Sequence, residues 1–147
     1  MAARLAVPFV LLLGTGGFVG ETPAAAHANA KRALIIAIAD YGTPPNHPET
    51  GEPLRPYRNL NAQNDIPLVR GALEHQGFLD IRVLQDAAAD IDGIRDALTR
   101  LVRDTDDGDV VVVHYSGHGH RITNDNPDVD DEVDGYDEVL VPHGAPD

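Results

Sequence analysis

The stretch DVVVVHYSGHGH (residues 109–120) decides how the rest of this chain is interpreted. Its four consecutive valines predict a strand buried on both faces, because such runs are typical of parallel sheets. The strand delivers a Ser-Gly-His-Gly turn to its carboxyl end, where active sites lie in open α/β sheets. Gly117 and Gly119 flank His118, and we expect them to let the backbone turn sharply and to leave the imidazole accessible. His118 is therefore the first candidate functional residue, and a solvated histidine at a strand end is the alternative.

The segments around this strand alternate between strand and helix patterns. Apolar runs predict strands, and apolar residues at helical spacing after an Asp predict helices. In chain order, the predicted elements are a strand over 32–40, a helix within 60–75, a strand over 78–85, a helix from Asp90, the valine strand and a short strand over 138–142. Residues 41–58 contain five prolines and predict a long loop, either a wall of a substrate cleft or a surface excursion. This order predicts an α/β fold with a mostly parallel central sheet and flanking helices.

Composition narrows the classes of partner and chemistry. The formal net charge of −13 argues against nucleic acid or an anionic membrane as a partner, because both would repel the chain. Cationic substrates and divalent cations fit this charge better. The chain contains no cysteine, which excludes a disulfide framework, a thiolate zinc site and a thiol nucleophile within these 147 residues.

The first 30 residues have the pattern of a secretory signal peptide. Arg4 precedes an apolar run over 5–13, and overlapping Ala-x-Ala triplets follow within 24–30. The apolar run is shorter than the roughly 20 residues that a membrane-spanning helix needs, so a membrane anchor is the weaker interpretation. We therefore expect one domain over 31–147, a secreted or periplasmic location, and no membrane association after signal cleavage.

Three blocks occur in a specific order along the mature chain: the first strand (32–40), LNAQND (60–65), and residues 111–119 followed by DGYDEVLVP (134–142). Together they resemble the large-subunit region of caspase-like cysteine peptidases, in particular the metacaspase and bacterial caspase-homologue branch. The resemblance implies a caspase-like three-layer α/β fold whose C-terminal sheet strands, and a nucleophilic cysteine roughly 50 residues after His118, lie beyond Asp147. We expect such a fragment to have an unpaired sheet edge, and hence marginal stability or a tendency to associate.

The same resemblance implies roles for four residues. His118 matches the proton-transfer histidine, and Gly119 could add a backbone N–H to the oxyanion site. Asp65 and Ser116 match the lining of a pocket for a basic P1 side chain, so the expected substrate is a peptide or protein cleaved after Arg or Lys. For Asp65, an N-cap of the first helix is the alternative role. The chemistry itself requires no cofactor.

The absence of cysteine leaves a second class of function open. The chain could be a non-catalytic, pseudo-peptidase module that binds a partner or a peptide. The coding sequence after Asp147 distinguishes the two, because a cysteine-containing block about 20 to 30 residues further on would support the peptidase. A stop codon there would support the binding module.

Two metal sites are suggested by the sequence. Seven carboxylates lie within thirteen residues over 125–137, and oxygen ligands suit Ca²⁺. An EF-hand frame starting at Asp130 fails, because its twelfth residue is Val141. The family resemblance instead implies Asp137 as one ligand of an activating Ca²⁺ ion, and a solvated acidic loop is the alternative. A zinc site would use His114, His118 and His120, although the glycines should break the alternation after Ser116.

Overall fold

A computed structural model of the chain describes residues 29–123 and 135–146. Its elements are β1 (Lys31–Ala37), α1 (Asp65–His75), β2 (Asp80–Gln85), α2 (Ile91–Arg103), β3 (Val110–Ser116), β4 (Gly119–Thr123) and β5 (Tyr136–Leu140), with short 3₁₀ turns at Ala62–Asn64 and Asp86–Ala89. The predicted signal segment falls almost entirely outside the described residues. Within the described part of the chain, no helix has the length and hydropathy needed to span a membrane.

β1 is the centre of a three-stranded parallel sheet with the order β2-β1-β3. Every residue from Ala33 to Ala39 is buried, as expected for a strand with neighbours on both sides and helices on both faces. Alternate β1 side chains point to opposite faces: Leu34 and Ile36 pack near Ala97 and Leu101 of α2, while Ala33 and Ile35 pack near Leu73 of α1 and Phe78. The predicted three-layer α/β architecture is confirmed.

β3 differs from the prediction. In the described residues it pairs only with β1, so it is an edge strand. Val111 and Val113 are 40% and 49% exposed, because α2 covers the middle of the sheet and leaves this face of β3 open. The expectation that the valine run is buried on both faces is therefore wrong.

The sequence predicted only one of the two strands of the hairpin formed by β4 and β5. The predicted strand over 138–142 is found as Tyr136–Leu140, and it pairs antiparallel with β4, which no pattern in the sequence indicated. All five residues of β4 are exposed, so its sequence carries no apolar alternation to reveal a strand. The hairpin leaves directly from the Ser-Gly-His-Gly turn and anchors the far side of that turn.

A network of ion pairs joins the strands at the amino end of the sheet, opposite the Ser-Gly-His-Gly turn. Arg32 contacts Asp80 at 3.1 Å and Asp109 at 3.2 Å, and Arg82 contacts Asp80 and Asp104 at 2.8 Å each. Hydrogen bonds from Arg82 and Arg32 lower the pKa of Asp80. Backbone N–H groups of Asp106 and Ala30, together with Arg32, lower the pKa of Asp109. These carboxylates therefore stabilise the fold in their ionised form.

This network makes the stability of the fold depend on pH. The carboxyl pKa values are lower in the folded chain than in the unfolded chain, so acidification protonates the unfolded chain first. We expect the free energy of unfolding to be at its full value above about pH 5 and to fall as pH drops below about 4. Urea unfolding followed by circular dichroism between pH 7 and pH 3 measures this loss.

Two variants test whether the ion-pair network causes this loss of stability at low pH. Asp109→Asn should lower stability at pH 7 and make the decline on acidification shallower. Glu74→Gln should behave like the wild type, because Glu74 forms only an exposed pair with Arg70 at 3.7 Å. An unchanged decline in Asp109→Asn would contradict this assignment.

Candidate active site

The carboxyl end of the sheet brings three segments together around the Ser-Gly-His-Gly turn. The amide of Ile38 donates to the carbonyl of Ser116 at 2.9 Å, which holds the end of β3 beside the end of β1. The first turn of α1 contributes Asp65, and the proline-rich loop after β1 contributes residues at 41 and 57–58. The candidate site therefore lies at the carboxyl end of the sheet, where the sequence analysis expected it.

Asp65 and Ser116 are in direct contact. The Ser116 hydroxyl donates to Asp65 Oδ2, and the Ser116 Oγ lies 3.2 Å from His114 Nε2. Since the hydroxyl proton is committed to the carboxylate, His114 Nε2 is the donor in the second bond. The N-cap position of α1 is Asn64, and no side chain caps this helix. The alternative role of Asp65 as an N-cap is therefore wrong.

A cavity of about 500 Å³ opens beside this pair. Its lining consists of Leu60, Asn61, Ala62, Asp65, Tyr115, Ser116 and Gly117. Asp65 is the only charged residue in this lining, so the cavity presents one carboxylate to a ligand. A larger cavity of about 680 Å³ lies along the β4–β5 hairpin, but neither Asp65 nor Ser116 lines it.

The imidazole of His118 is held in one orientation. Its Nε2 lies 2.8 Å from the backbone carbonyl oxygen of Arg58, and its ring packs against both Tyr41 and Tyr57 at centroid distances of 4.9 Å and 5.2 Å. A carbonyl oxygen can only accept, so Nε2 carries the proton of the neutral ring. The Nδ1 atom consequently has a free lone pair, which makes it the proton acceptor of this side chain.

Sequence comparison shows the family to which this chain belongs. A family profile described as "Caspase domain" matches residues 30–146. The chain belongs to the caspase domain family. Metacaspase-7 of Arabidopsis thaliana is 37% identical over 121 residues, which are 77% of this chain and 27% of that protein.

Two further metacaspases support the same conclusion. Metacaspase-1 of Candida albicans is 35% identical over 117 residues, which are 76% of this chain and 25% of that protein. Metacaspase-1 of Arabidopsis thaliana is 55% identical over 49 residues, which are 33% of this chain and 12% of that protein. The chain spans about a quarter of the length of curated relatives such as these. No solved structure matches the chain.

The glycines of this caspase domain's Ser-Gly-His-Gly turn serve a different purpose from the one predicted. Neither Gly117 nor Gly119 has a positive φ. A Cβ at Gly117 would meet the Tyr115 hydroxyl and would lie 2.7 Å from the Tyr41 hydroxyl. Gly117 is thus required by the close approach of two phenols, whereas a Cβ at Gly119 would lie 3.8 Å from the Val139 oxygen, an ordinary contact.

Asp86 organises the chain behind the site and was not identified from the sequence. Its carboxylate accepts from the backbone N–H groups of Ala39 at 2.8 Å and Asp40 at 2.9 Å. Burial acts to raise the pKa of Asp86, but the hydrogen bonds from Asp40 and Ala39 outweigh it and the pKa is lowered. Asp86 also has a positive φ of 45°. This ionised side chain fixes the start of the loop that carries Tyr41.

The three histidines of the zinc hypothesis do not converge. His114 Nε2 contacts Ser116 and His118 Nε2 contacts Arg58, and no group of three potential metal ligands occurs among residues 29–123 and 135–146. Asp137 lies on β5 opposite Ile122. The other six carboxylates of the predicted calcium loop belong to residues 124–134, which are outside the described residues.

Proposed function

We propose that this chain is the N-terminal part of a caspase-like cysteine endopeptidase that cleaves after Arg or Lys. The observation that supports this most directly is the fixed tautomer of His118. The Nε2–H donates a hydrogen bond to the Arg58 carbonyl, which leaves Nδ1 as a proton acceptor at the carboxyl end of the sheet, beside a cavity lined by one carboxylate. The family shown by the comparisons supplies the class of reaction.

In this proposal His118 accepts and releases one proton in each half of the reaction. Its Nδ1 takes the proton of a cysteine thiol, and the thiolate attacks the peptide carbonyl. The imidazolium then protonates the leaving amine and, as the neutral ring again, deprotonates the water that hydrolyses the thioester. The Gly119 N–H is proposed as one donor to the oxyanion that forms at the carbonyl. The cysteine must come from sequence outside these 147 residues.

The pocket for the P1 side chain is proposed to be the cavity that Asp65 and Ser116 line. Its single carboxylate can accept two parallel hydrogen bonds from a guanidinium, which would favour Arg over Lys. The hydrogen bond from Ser116 holds the carboxylate in place before a substrate arrives. The net charge of −13 adds a long-range attraction for basic peptides.

An assay of the complete encoded protein tests this function. Fluorogenic peptides that differ only in P1 would be compared, with Arg, Lys, Gln and Asp at that position. We expect thiol-dependent hydrolysis of the Arg and Lys peptides, with little or none after Gln and Asp. If no peptide is hydrolysed but an Arg peptide still binds, the protein is the non-catalytic binding module instead.

We also propose that Ca²⁺ activates the complete protein and that Asp137 is one of its ligands. The acidic composition of residues 125–137 supports this, since seven carboxylates there can supply hard oxygen ligands. The same peptide assay, run in excess EGTA and again after Ca²⁺ is restored, should show reversible loss of activity. Activity that is indifferent to EGTA would remove calcium from the proposal.

A further inference from the structure

Tyr41 makes two separate contacts with His118. The His118 backbone N–H donates to the Tyr41 hydroxyl, with an N to O distance of 2.6 Å. The Tyr41 ring also packs against the imidazole, with a centroid distance of 4.9 Å and an interplanar angle of 48°. Tyr41 itself is 0% exposed, so its own position is set by the core around it. One buried side chain therefore restrains both the backbone and the ring of His118.

The Tyr41 and Tyr115 hydroxyls bind the two polar groups of the His118 backbone. The Tyr41 hydroxyl oxygen accepts from the His118 N–H. The Tyr115 hydroxyl lies 2.9 Å from the carbonyl oxygen of His118 and 2.8 Å from that of Val141, and it donates to these acceptors. The two phenols thus hold His118 at its N–H and at its carbonyl.

The Tyr115 hydroxyl keeps its proton under any ordinary condition. Burial is the main cause that raises its pKa. A permanently protonated phenol is what a donor to backbone carbonyls requires. The amide of Val141 also donates to the His118 carbonyl at 3.0 Å, so the end of β5 is held by the same acceptor.

We propose that Tyr41 and Tyr115 are positioning residues whose hydroxyls hold the N–H and the carbonyl of His118 by hydrogen bonds and so fix the place of its imidazole. This inference rests on the proposed function for its catalytic meaning. The two hydrogen bonds explain why residue 117 is glycine, since the two phenol oxygens occupy the space of a Cβ there. They also explain how the turn after β3 can hold the His118 imidazole in a single orientation.

Nuclear magnetic resonance of the chain tests the inference without any need for catalysis. Tyr41→Phe keeps the aromatic ring and removes the acceptor of the His118 amide. Tyr115→Phe removes the hydroxyl that donates to the His118 carbonyl. We expect the His118 amide to exchange with solvent roughly ten- to a hundredfold faster in Tyr41→Phe, while the amide of Ile35 in β1 is unchanged. The ¹⁵N shifts of the imidazole should move from the Nε2–H tautomer toward a mixture of both tautomers in each variant.

Tyr57→Phe is the matched control. It removes another phenol oxygen from the same aromatic cluster and keeps the aromatic contact of 5.2 Å with His118. The hydroxyls of Tyr41 and Tyr115, which bind the His118 backbone, remain present. We expect wild-type amide exchange and the wild-type tautomer in this variant. Equal effects of Tyr41→Phe and Tyr57→Phe, or no change of tautomer in Tyr41→Phe and Tyr115→Phe, would overturn the inference.

The double variant and the kinetics separate the inference from the proposed function. Tyr41→Phe already removes the acceptor of the His118 amide, so the double variant should show little more exchange at His118 than Tyr41→Phe alone. In the complete peptidase, Tyr41→Phe should lower kcat at least tenfold with KM for an Arg peptide within about twofold. If the tautomer shifts but kcat does not, positioning stands and the catalytic role of His118 fails.

Discussion

Replacing His118 by alanine should reduce cleavage of Arg peptides by the complete peptidase by about 10²- to 10⁴-fold. This is the range that general acid–base catalysis contributes, and the substitution removes the Nδ1 lone pair proposed as the proton acceptor. The loss should appear in kcat, since in the proposed mechanism the imidazole acts on the reacting atoms, and it does not line the P1 cavity. Steady-state kinetics on Arg-P1 peptides measures it.

His120→Ala is the matched control for this substitution. His120 is exposed, lies two residues further along in β4, and its ring contacts Tyr57 edge-on at 6.3 Å. We expect its kcat to stay within about threefold of the wild type. Circular dichroism should show the same fold in both variants. Turnover retained in His118→Ala, or lost equally in His120→Ala, would remove His118 from the mechanism.

Replacing Asp65 by asparagine should weaken kcat/KM for Arg and Lys peptides by roughly 30- to 1,000-fold. Asparagine has the shape of aspartate and can still accept from Ser116, but it lacks the charge that would pair with a cationic P1 group. A peptide with neutral Gln at P1 should change by less than about threefold. Parallel kinetics on the three peptides gives the ratio that measures charge recognition.

A second carboxylate in a corresponding position provides the control. Asp92 lies in the first turn of α2, as Asp65 lies in the first turn of α1, but it pairs at the surface with Arg95 at 2.7 Å. Asp92→Asn should leave all three peptides unaffected. If Asp65→Asn reduces cleavage of every peptide equally, its carboxylate supports the fold or the chemistry and does not recognise P1.

The order and type of the main elements could be predicted because each depends on short-range patterns. The second helix begins at Asp90 as predicted, with the Asp90 side chain accepting from the Gly93 amide at 2.7 Å, and α1 ends at His75, the last residue of the predicted range. The alternation along β3 also placed His114 and Ser116 on one side, which their 3.2 Å contact confirms. Such features involve residues within a few positions of one another.

The burial of two similar apolar runs could not be predicted. Residues 33–38 and 110–113 both read as buried strands, yet β1 is central and β3 is at an edge of the sheet. A run of apolar side chains has the same local pattern wherever its strand lies in the sheet. The pairing of the strands with one another and the position of α2 decide the difference.

The sequence by itself determined that His118 follows a parallel strand, that Asp65 begins a helix, and that no thiol is available within the chain. The tertiary structure alone decided the tautomer of His118, the pairing of Asp65 with Ser116, and the hydrogen bond from the His118 amide to the Tyr41 hydroxyl. Those contacts join residues 60, 51 and 77 positions apart. Local patterns report interactions within a strand or helix turn, whereas partners so distant in sequence are chosen by the packing of the whole sheet.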